Sequence, residues 1–407
     1  MKNAKSENYS FDIGPMGAIG EQGSLLLRIN RNCPWNMCLF CDVYKGRKFE
    51  YRRNKEVKRD IDIIEFLSDE IKRASMDIGF GGEITREVTN AMILGIPEIY
   101  GKTVGPQTLN SRLSSLHNIA QWLSHGGRTV FLQDANALIM RTHELSDVIR
   151  YSKEKFPSIE RITSYARSKT IAQKSAKELE ELSHAGLSRV LVGLESGYDP
   201  VLEYMQKGVT AEEHVKAGRK IVESGMYLVE FVMPGLGSRE YSEKHILETA
   251  RVLNEIEPNL IRVRSLAIQE NSPLYERWKS GEFEQPTDDQ MVDEIGLLIE
   301  RLDFDCKIET GQLTNILFEL NGALPRDREQ MLEMIEQYKS KPLMERLGFR
   351  LERYLRFYIP FVEEQGKLDH QLEQQIEEAL EGLKKESSDV EAKVDRAIST
   401  MKGKCIP

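Results

Sequence analysis

Short runs of apolar and β-branched residues recur along the middle of the chain, each followed by a longer charged segment with helical spacing. The charged segments end on glycine, as at Gly126, Gly186 and Gly225, which suits the left-handed position just after a helix. Successive runs begin roughly thirty residues apart, the length that a strand, a crossover helix and a parallel strand require. The runs are RTVFLQ from residue 128, ERITSY from 160, SRVLVGL from 188, YLVEFVM from 227 and NLIRVRSL from 259, with SLLLRIN near the N-terminus as one more.

Six such strands predict a parallel α/β sheet, because strands covered by helices on both faces are apolar throughout. Periodicity alone leaves open whether the sheet is a barrel or an open, doubly wound sheet. Residues 78–127 interrupt the alternation and predict a helical insertion, and beyond about residue 285 the strand pattern stops. We therefore expect an N-terminal extension (1–23), an α/β unit (24–285) with that insertion, and a helical C-terminal region (286–407).

Composition narrows the class of protein. The 407 residues are 40% hydrophobic and 30% charged, with no secretory signal and no apolar run long enough to span a bilayer, so we expect a cytoplasmic protein that has no membrane partner. The net charge of -9 argues against nucleic acid as the main partner, although a local basic surface would escape this test. In a reducing cytoplasm, clustered thiols are expected to bind metal or act in catalysis.

The stretch NRNCPWNMCLFCDVYKG concentrates three of the five cysteines, Cys33, Cys38 and Cys41, just after the first predicted strand. Thiolates in a loop suit zinc or an iron–sulfur cluster. A structural zinc site needs four protein ligands, and the first histidine, His117, lies far downstream. Three thiolates on a cubane cluster leave one iron open to a small molecule, which is the arrangement that catalysis would need.

This motif resembles that of the radical S-adenosylmethionine (SAM) enzymes, which carry three cysteines in a loop after the first strand of a partial barrel. Their usual spacing is C-x3-C-x2-C, whereas this chain has C-x4-C-x2-C, a form shared by a branch whose motif reads CPWN-C-FC. The resemblance covers about residues 20–330 and is similar to the Elongator and coproporphyrinogen-oxidase group. It implies a partial (β/α)6 TIM-like barrel, one 4Fe-4S cluster on the three cysteines, bound SAM, and a low-potential electron donor such as flavodoxin or ferredoxin.

Further segments resemble the family's SAM-binding motifs, each near the end of a predicted strand, where ligands gather in parallel α/β proteins. Phe40 matches an aromatic residue that lies near the adenine. FLQDANAL resembles the segment that holds the amino group of SAM, which implies Asp134 and Asn136, and GLESG resembles the ribose-binding motif, which implies Glu195 and Ser196. The strand ends SYARS and FVMPG add Tyr165, Arg167, Val232 and Met233 as cofactor-binding candidates.

Each of these matches has a simpler interpretation when taken alone, since an acid after a strand often begins a helix and Pro-Gly is often a turn. Their joint occurrence behind the cysteines favours the functional interpretation. The GGE at residues 81–83 also matches the amino-group motif, but no strand precedes it, and we interpret it as a turn that opens a helix. Arg262 and Arg264 share one face of the sixth strand, and either anchor a substrate anion or pair with acids on a helix.

The sequence thus predicts a radical SAM enzyme with a single cluster, in which Cys33, Cys38 and Cys41 are the metal ligands and the catalytic residues. Reductive cleavage of SAM is expected to give a 5'-deoxyadenosyl radical that abstracts hydrogen from a substrate that the sequence does not identify. Subclasses with additional clusters need more cysteines, and a cobalamin domain needs more than the 24 residues that precede the first strand. The alternative is a non-catalytic metal- or iron–sulfur-binding scaffold protein.

Overall fold

The computed structural model describes residues 9–15, 17 and 20–404. By their internal contacts these residues divide into two compact units, which alternate along the chain. Cys33 belongs to the first unit, and Cys38 and Cys41 belong to the second. The first unit takes in 1–34, 46–191 and 223–227, and the second takes in 35–45, 192–222 and 228–407.

The apolar runs form the strands that their pattern predicts. Eight strands are hydrogen-bonded neighbours in the order β1-β4-β5-β6-β7-β8-β9-β10, and β2 pairs with β3 separately. The sheet is parallel at β1–β4, β4–β5, β7–β8 and β8–β9, and antiparallel at β9–β10. The predicted α/β class is confirmed. The strands are β1 (Leu25–Arg28), β2 (Asn30–Arg31), β3 (Glu50–Tyr51), β4 (Thr129–Gln133), β5 (Arg161–Ala166), β6 (Leu187–Glu195), β7 (Tyr227–Val232), β8 (Leu260–Val263), β9 (Cys306–Glu309) and β10 (Gly322–Leu324).

Sixteen α-helices lie in the described residues, and several have the caps that their sequences encode. In α7 and α12, Ser175 and Thr287 each accept the backbone amide three residues on, as capping boxes do. The helices are α1 (Asn54–Asp77), α2 (Arg86–Gly95), α3 (Pro97–Tyr100), α4 (Pro106–Ser124), α5 (Thr142–Lys155), α6 (Ser168–Gln173), α7 (Ala176–Ala185), α8 (Asp199–Tyr204), α9 (Ala211–Glu223), α10 (Ser238–Ile256), α11 (Pro273–Lys279), α12 (Asp288–Arg301), α13 (Arg328–Lys339), α14 (Leu343–Glu364), α15 (His370–Lys385) and α16 (Val390–Lys404).

The first unit packs helices α1, α4 and α5 around β1, β4 and β5. Helix α1 buries an apolar stripe that includes Val57, Ile61, Ile64 and Leu67, spaced three and four residues apart. The predicted insertion is helical, as α2 to α4 show. The GGE segment lies in a turn before α2 with both glycines at positive φ, as expected. The three glycines predicted to follow helices, Gly126, Gly186 and Gly225, also have positive φ.

The second unit contains strands in a region for which the sequence predicts only helices. Two short strands, β9 and β10, interrupt the 286–407 region, which the sequence pattern predicts to be wholly helical. Strand β9 continues the sheet in parallel from β8, with Arg262 opposite Glu309. A run of four residues, CKIE, is too short for an alternating pattern to stand out, and the pairing with β8 is what defines it. The predicted domain boundaries stay predictions.

Beyond β10 the second unit is helical, as predicted. Helix α15 begins with Asp369 accepting the amide of Leu372. Helix α16 buries Val394, Ile398 and Met401 on one face. Among the residues that the structure describes, no helix is both long enough and apolar enough to cross a membrane.

Candidate cofactor site

The segment that carries Cys38 and Cys41 is fixed within the second unit by its aromatic and apolar residues. The indole Nε1 of Trp35 donates to the backbone oxygen of Gln206 at 2.7 Å. Gly208 has φ +69°, and a Cβ there would lie 2.2 Å from the indole, so only glycine lets the chain approach this closely. The Leu39 amide donates to the Met205 oxygen at 3.0 Å. The CPW and CLF parts of the motif thus anchor the loop.

Hydrogen bonds also close the loop on itself. Asn36 takes the left-handed conformation, with φ 53°, which asparagine tolerates better than most residues. Its side chain donates to the Tyr44 oxygen at 2.6 Å, and Lys45 Nζ donates to the Asn36 oxygen at 2.7 Å. Between the two cysteines, the Cys41 amide donates to the Cys38 oxygen at 3.4 Å.

The chain just before Cys33 is fixed in the first unit by the strand-end residues Asp134 and Asn136. The Asp134 carboxylate lies 2.6 Å from Arg28 Nη2 and accepts the backbone amide of Asn32 at 2.9 Å. The backbone oxygen of Asn136 accepts from the Asn30 side chain at 2.9 Å. Both predicted SAM contacts are fully buried and hold the residues that lead to Cys33.

The side chain of Asn136 also orders the end of β5. Its Oδ1 accepts the Arg167 amide at 3.2 Å, and its Nδ2 donates to Thr170 Oγ1 at 2.8 Å. Tyr165 packs edge-on against Phe131, with ring centroids 5.2 Å apart. The structure therefore links the Asn136 side chain to the backbone of Arg167, while Tyr165 packs against Phe131 on β4.

The second unit brings Phe40, Glu195 and Met233 together. Glu195 has φ 62°, and its carboxylate lies 3.1 Å from Lys207 Nζ. The same Nζ is 5.5 Å from the centroid of the Phe40 ring, within the range of a cation–π contact. Gly193 makes room for the turned-back side chain, since a Cβ there would lie 2.2 Å from Glu195 Oε1. The Met233 amide donates to the Glu195 oxygen at 3.1 Å.

Phe40 and Met233 also share one apolar surface. Both side chains are partly buried and pack against the same hydrophobic cluster. An aromatic ring and a thioether therefore lie on one apolar surface. Val232, the neighbouring candidate, is fully buried at the end of β7. The cluster consists of Leu39, Val201, Met205, Leu236, Leu266, Ile268, Leu274 and Phe283.

Ser196 is held by a buried histidine that the sequence analysis did not identify. His245 Nε2 lies 3.2 Å from the Met233 oxygen and Nδ1 lies 2.8 Å from Ser196 Oγ. Because a carbonyl only accepts, Nε2 carries the proton, and the Ser196 hydroxyl donates to Nδ1. Burial lowers the pKa of His245 to about 4, so the ring is neutral at neutral pH. This network ties the segments that follow β6 and β7 to each other.

Glu230, on β7, is a second buried group that the pattern did not single out. Both of its carboxyl oxygens are buried without a hydrogen-bond partner in the described residues. Burial, and then the charge of Glu195, raise the pKa of Glu230 well above its usual value. Lys207, His245 and Glu230 carry no local sequence signal, because a lysine after a helix, a helical histidine and a strand glutamate are each common. Only their packing reveals them.

The donor chemistry fits an iron–sulfur cluster. Cys33, Cys38 and Cys41 form no disulfide, and each is partly exposed. Among the described residues, no three His, Cys, Asp or Glu side chains are grouped as ligands of one metal ion. In a cubane each thiolate binds a different iron, so the thiols need not meet at one point. Burial raises the pKa of the Cys306 thiol to about 12, which disfavours it as a thiolate ligand, and Cys405 lies outside the described residues.

Of the two arginines on the sixth predicted strand, Arg262 pairs with an acidic residue. Arg262 is buried, and its Nε donates to Glu309 at 3.0 Å, so one acidic partner lies on the neighbouring strand β9. Asn315 fixes the end of β8 by donating to the Val263 oxygen at 2.8 Å and accepting the Ser265 amide at 2.8 Å.

No protein-family model matches the chain. Over 120 residues it is 27% identical to the tRNA uridine(34) acetyltransferase of Methanocaldococcus jannaschii, a stretch that covers 29% of this chain and 22% of that relative. The match thus spans about a fifth of the length of this curated relative.

Two solved structures resemble the chain at low identity. The archaeal Methanocaldococcus infernus Elp3 with an N-terminal deletion is 16% identical, with a TM-score of 0.40 over 58% of this chain and 59% of that one. Coproporphyrinogen III oxidase from Escherichia coli, a radical SAM enzyme, is 14% identical, with a TM-score of 0.41 over 73% and 55% of the two chains. The proteins found include those that the sequence resemblance names.

Proposed function

We propose that this protein is a radical SAM enzyme that binds one 4Fe-4S cluster through Cys33, Cys38 and Cys41. The single observation that carries the proposal is the loop with three cysteines after the first strands of a mostly parallel α/β sheet. Three thiolates without a fourth protein ligand leave one iron open. The fold, and the anchoring of the loop by Trp35 and Leu39, support this assignment.

When bound, the cluster and SAM supply the electron transfer and the carbon–sulfur cleavage that give a 5'-deoxyadenosyl radical. The chain's own residues would bind and orient the cluster and SAM. Phe40 and Met233 offer an apolar wall for a flat heterocycle such as adenine, and the Glu195 carboxylate offers acceptors for ribose hydroxyls. Ser196 and His245 hold the backbone from which Met233 projects.

We assign Asp134 and Asn136 to positioning of the chain before Cys33, with Arg167 ordered through its amide. Asp134 Oδ2 already serves Arg28 and the Asn32 amide, and the Asn136 side chain serves Thr170 and the Arg167 amide. Asp134 Oδ1 has no partner in the described residues, but the whole side chain is buried, so the part of both residues in SAM binding is through the shape of the loop. The reducing electron comes from a low-potential donor such as flavodoxin or ferredoxin.

Anaerobic reconstitution with iron and sulfide tests the assignment. We expect about four irons and four sulfides per chain, and production of 5'-deoxyadenosine when SAM and dithionite are added. Replacing Cys33, Cys38 and Cys41 with alanine should abolish iron uptake while circular dichroism shows a folded protein. Cys306→Ala is the matched control and should keep the cluster.

Two results decide against the proposal. Stoichiometric zinc in protein purified without oxygen, together with no uptake of iron, would mean that the thiols serve another metal. A loaded cluster that neither binds SAM nor cleaves it would favour the alternative, a non-catalytic iron–sulfur scaffold.

A further inference from the structure

A cavity of about 550 Å³ lies within the second unit, lined by residues from α10, α11, α12, α14, α15 and α16 and by the segments before α11 and α12. This volume is in the range of pockets that hold small molecules. None of the cysteines or the predicted SAM contacts lines it. Its lining side chains include six basic and three acidic ones, an excess of positive charge in a chain whose net charge is -9.

The innermost basic group is Arg350, which is 1% exposed. Its Nη2 pairs with Asp395 and lies 3.6 Å from Asp288. Its Nε and Nη1 are buried without a hydrogen-bond partner among the residues described. Burial alone would lower the pKa of Arg350, but the two carboxylates raise it overall, so the guanidinium stays charged. Buried donors without acceptors cost free energy, which an anion in the cavity would recover.

Lys402 does not compete for such an anion. This lysine is 2% exposed, and its Nζ lies 2.6 Å from Asp288 and 4.3 Å from the centroid of the Tyr354 ring. Asp288 therefore balances Lys402, and Asp395 balances Arg350 in charge. The two donors on Arg350 remain for a ligand.

Three further basic residues, Arg239, Lys279 and Arg396, are exposed at the edge of the cavity. Within the described part of the chain, none of them has a carboxylate within 4.0 Å. Unpaired charges of one sign around a concave site attract ligands of the other sign. Two aromatic rings, Tyr275 and Trp278, also line the cavity with their centroids 5.6 Å apart, and they offer an apolar face beside the charges.

We propose that this cavity binds a small organic anion. The phosphate or carboxylate group of the ligand accepts the free N–H groups of Arg350, and its apolar or aromatic body packs against Tyr275 and Trp278. A guanidinium keeps its charge when buried and has N–H donors that suit the oxygens of either oxyanion. This site is separate from the proposed cluster and does not depend on it.

Calorimetric titration of the full-length protein with three probes tests the proposal: phenyl phosphate, phenylacetate and benzyl alcohol. The probes share a ring and differ in charge. We expect at least one anion to bind about tenfold more tightly than the alcohol, which corresponds to about 1.4 kcal/mol. The tighter of the two anions identifies the oxyanion that the site prefers. Equal affinity for the alcohol, or no heat from either anion at millimolar concentration, overturns the proposal.

Variants locate the binding. Arg396→Gln and Arg239→Gln should each weaken binding of the preferred anion severalfold. Arg350→Lys should remove most of the binding, because the lysine ammonium cannot place donors at the positions of both Nε and Nη1. Arg150→Gln, at an exposed arginine of the first unit, is the control of equal charge change and should leave affinity unchanged. If Arg350→Lys does not fold, the anion affinities of Arg396→Gln and Arg239→Gln test the assignment instead. If these variants bind the anion as tightly as Arg150→Gln does, the anion binds elsewhere and the assignment is refuted.

Discussion

Two carboxylates lie at strand ends and have opposite surroundings: Asp134 follows β4 in the first unit, and Glu195 is the last residue of β6 in the second. Asp134 is fully buried, and its carboxylate pairs with Arg28 and accepts a hydrogen bond from the Asn32 amide. The Glu195 side chain keeps 13% of its surface exposed and pairs with one lysine, Lys207. A carboxylate at a strand end is available to a ligand only when part of its surface stays exposed, as it does for Glu195 and not for Asp134.

The polar residues near these two carboxylates, Asn136 and Ser196, both have their side chains engaged in hydrogen bonds. Asn136 has its side-chain oxygen and nitrogen both engaged by the first unit, and it orders the backbone near Cys33. Ser196 likewise donates to His245 and accepts the Tyr198 amide at 3.0 Å. Of the four polar residues that the sequence places at these strand ends, Glu195 is therefore the one best suited to contact a cofactor directly.

The largest effect is expected from Asp134→Asn. Removing the carboxylate leaves Arg28 buried with a weakened set of partners, which should cost about 3 kcal/mol or more of unfolding free energy and reduce iron uptake through the loss of order before Cys33. Urea denaturation and iron analysis after reconstitution measure both effects. Asp147→Asn, which removes an exposed partner of Lys58, is the control and should cost about 1 kcal/mol or less. Equal costs would mean that Asp134 is not a structural anchor.

A smaller effect, on binding and not on stability, is expected from Glu195→Gln. The loss of a charged acceptor for ribose hydroxyls should weaken SAM binding by about 1–3 kcal/mol while the iron–sulfur absorption stays unchanged. Equilibrium dialysis with reconstituted protein measures the affinity. Glu83→Gln, in the exposed GGE turn, is the matched control and should have no effect. If Glu83→Gln weakens SAM binding and Glu195→Gln does not, the contrast between the two units is wrong.

The smallest effect concerns pH and the His245 network. The folded-state pKa of about 4 lies below the ordinary value of 6.5, so the unfolded chain binds more protons between these values and stability falls as pH falls. From pH 7 to pH 6 this amounts to less than about 1 kcal/mol. Burial raises the pKa of Glu294 to about 8, so that carboxyl favours the folded state on acidification over the same interval.

The opposing titration of Glu294 means that the wild type alone is not informative. We expect the difference in unfolding free energy between wild type and His245→Asn to shrink as pH is lowered from 7 to 5, because the variant lacks the proton uptake of the unfolded histidine. Urea denaturation at three pH values measures this difference. A difference that is constant with pH would mean that His245 is not held neutral in the folded protein.

Much of the fold follows from local sequence. The alternation of apolar runs with charged helical segments ending on Gly126, Gly186 and Gly225 predicts the parallel strands and the helix ends, because strand burial and left-handed caps are properties of short segments. The spacing of Cys33, Cys38 and Cys41 identifies the candidate ligands for a similar reason, since one loop carries all three. Strands β9 and β10 escape prediction because three or four residues contain too little pattern, and pairing with β8 defines the first of them.

What tertiary structure alone decides is which polar groups remain available. Arg28 and Asp134 are 106 residues apart, Ser196 and His245 are 49 apart, and Asp288 and Lys402 are 114 apart. No local sequence pattern states which of these side chains are paired. Ion pairs and hydrogen bonds form between whatever residues the packing brings within about 3 Å, and burial then fixes their charge state. The sequence by itself therefore determines the fold class and predicts the cysteine ligand set, while the tertiary structure decides that the Asp134 carboxylate is fully buried and paired and that the Glu195 side chain stays partly exposed.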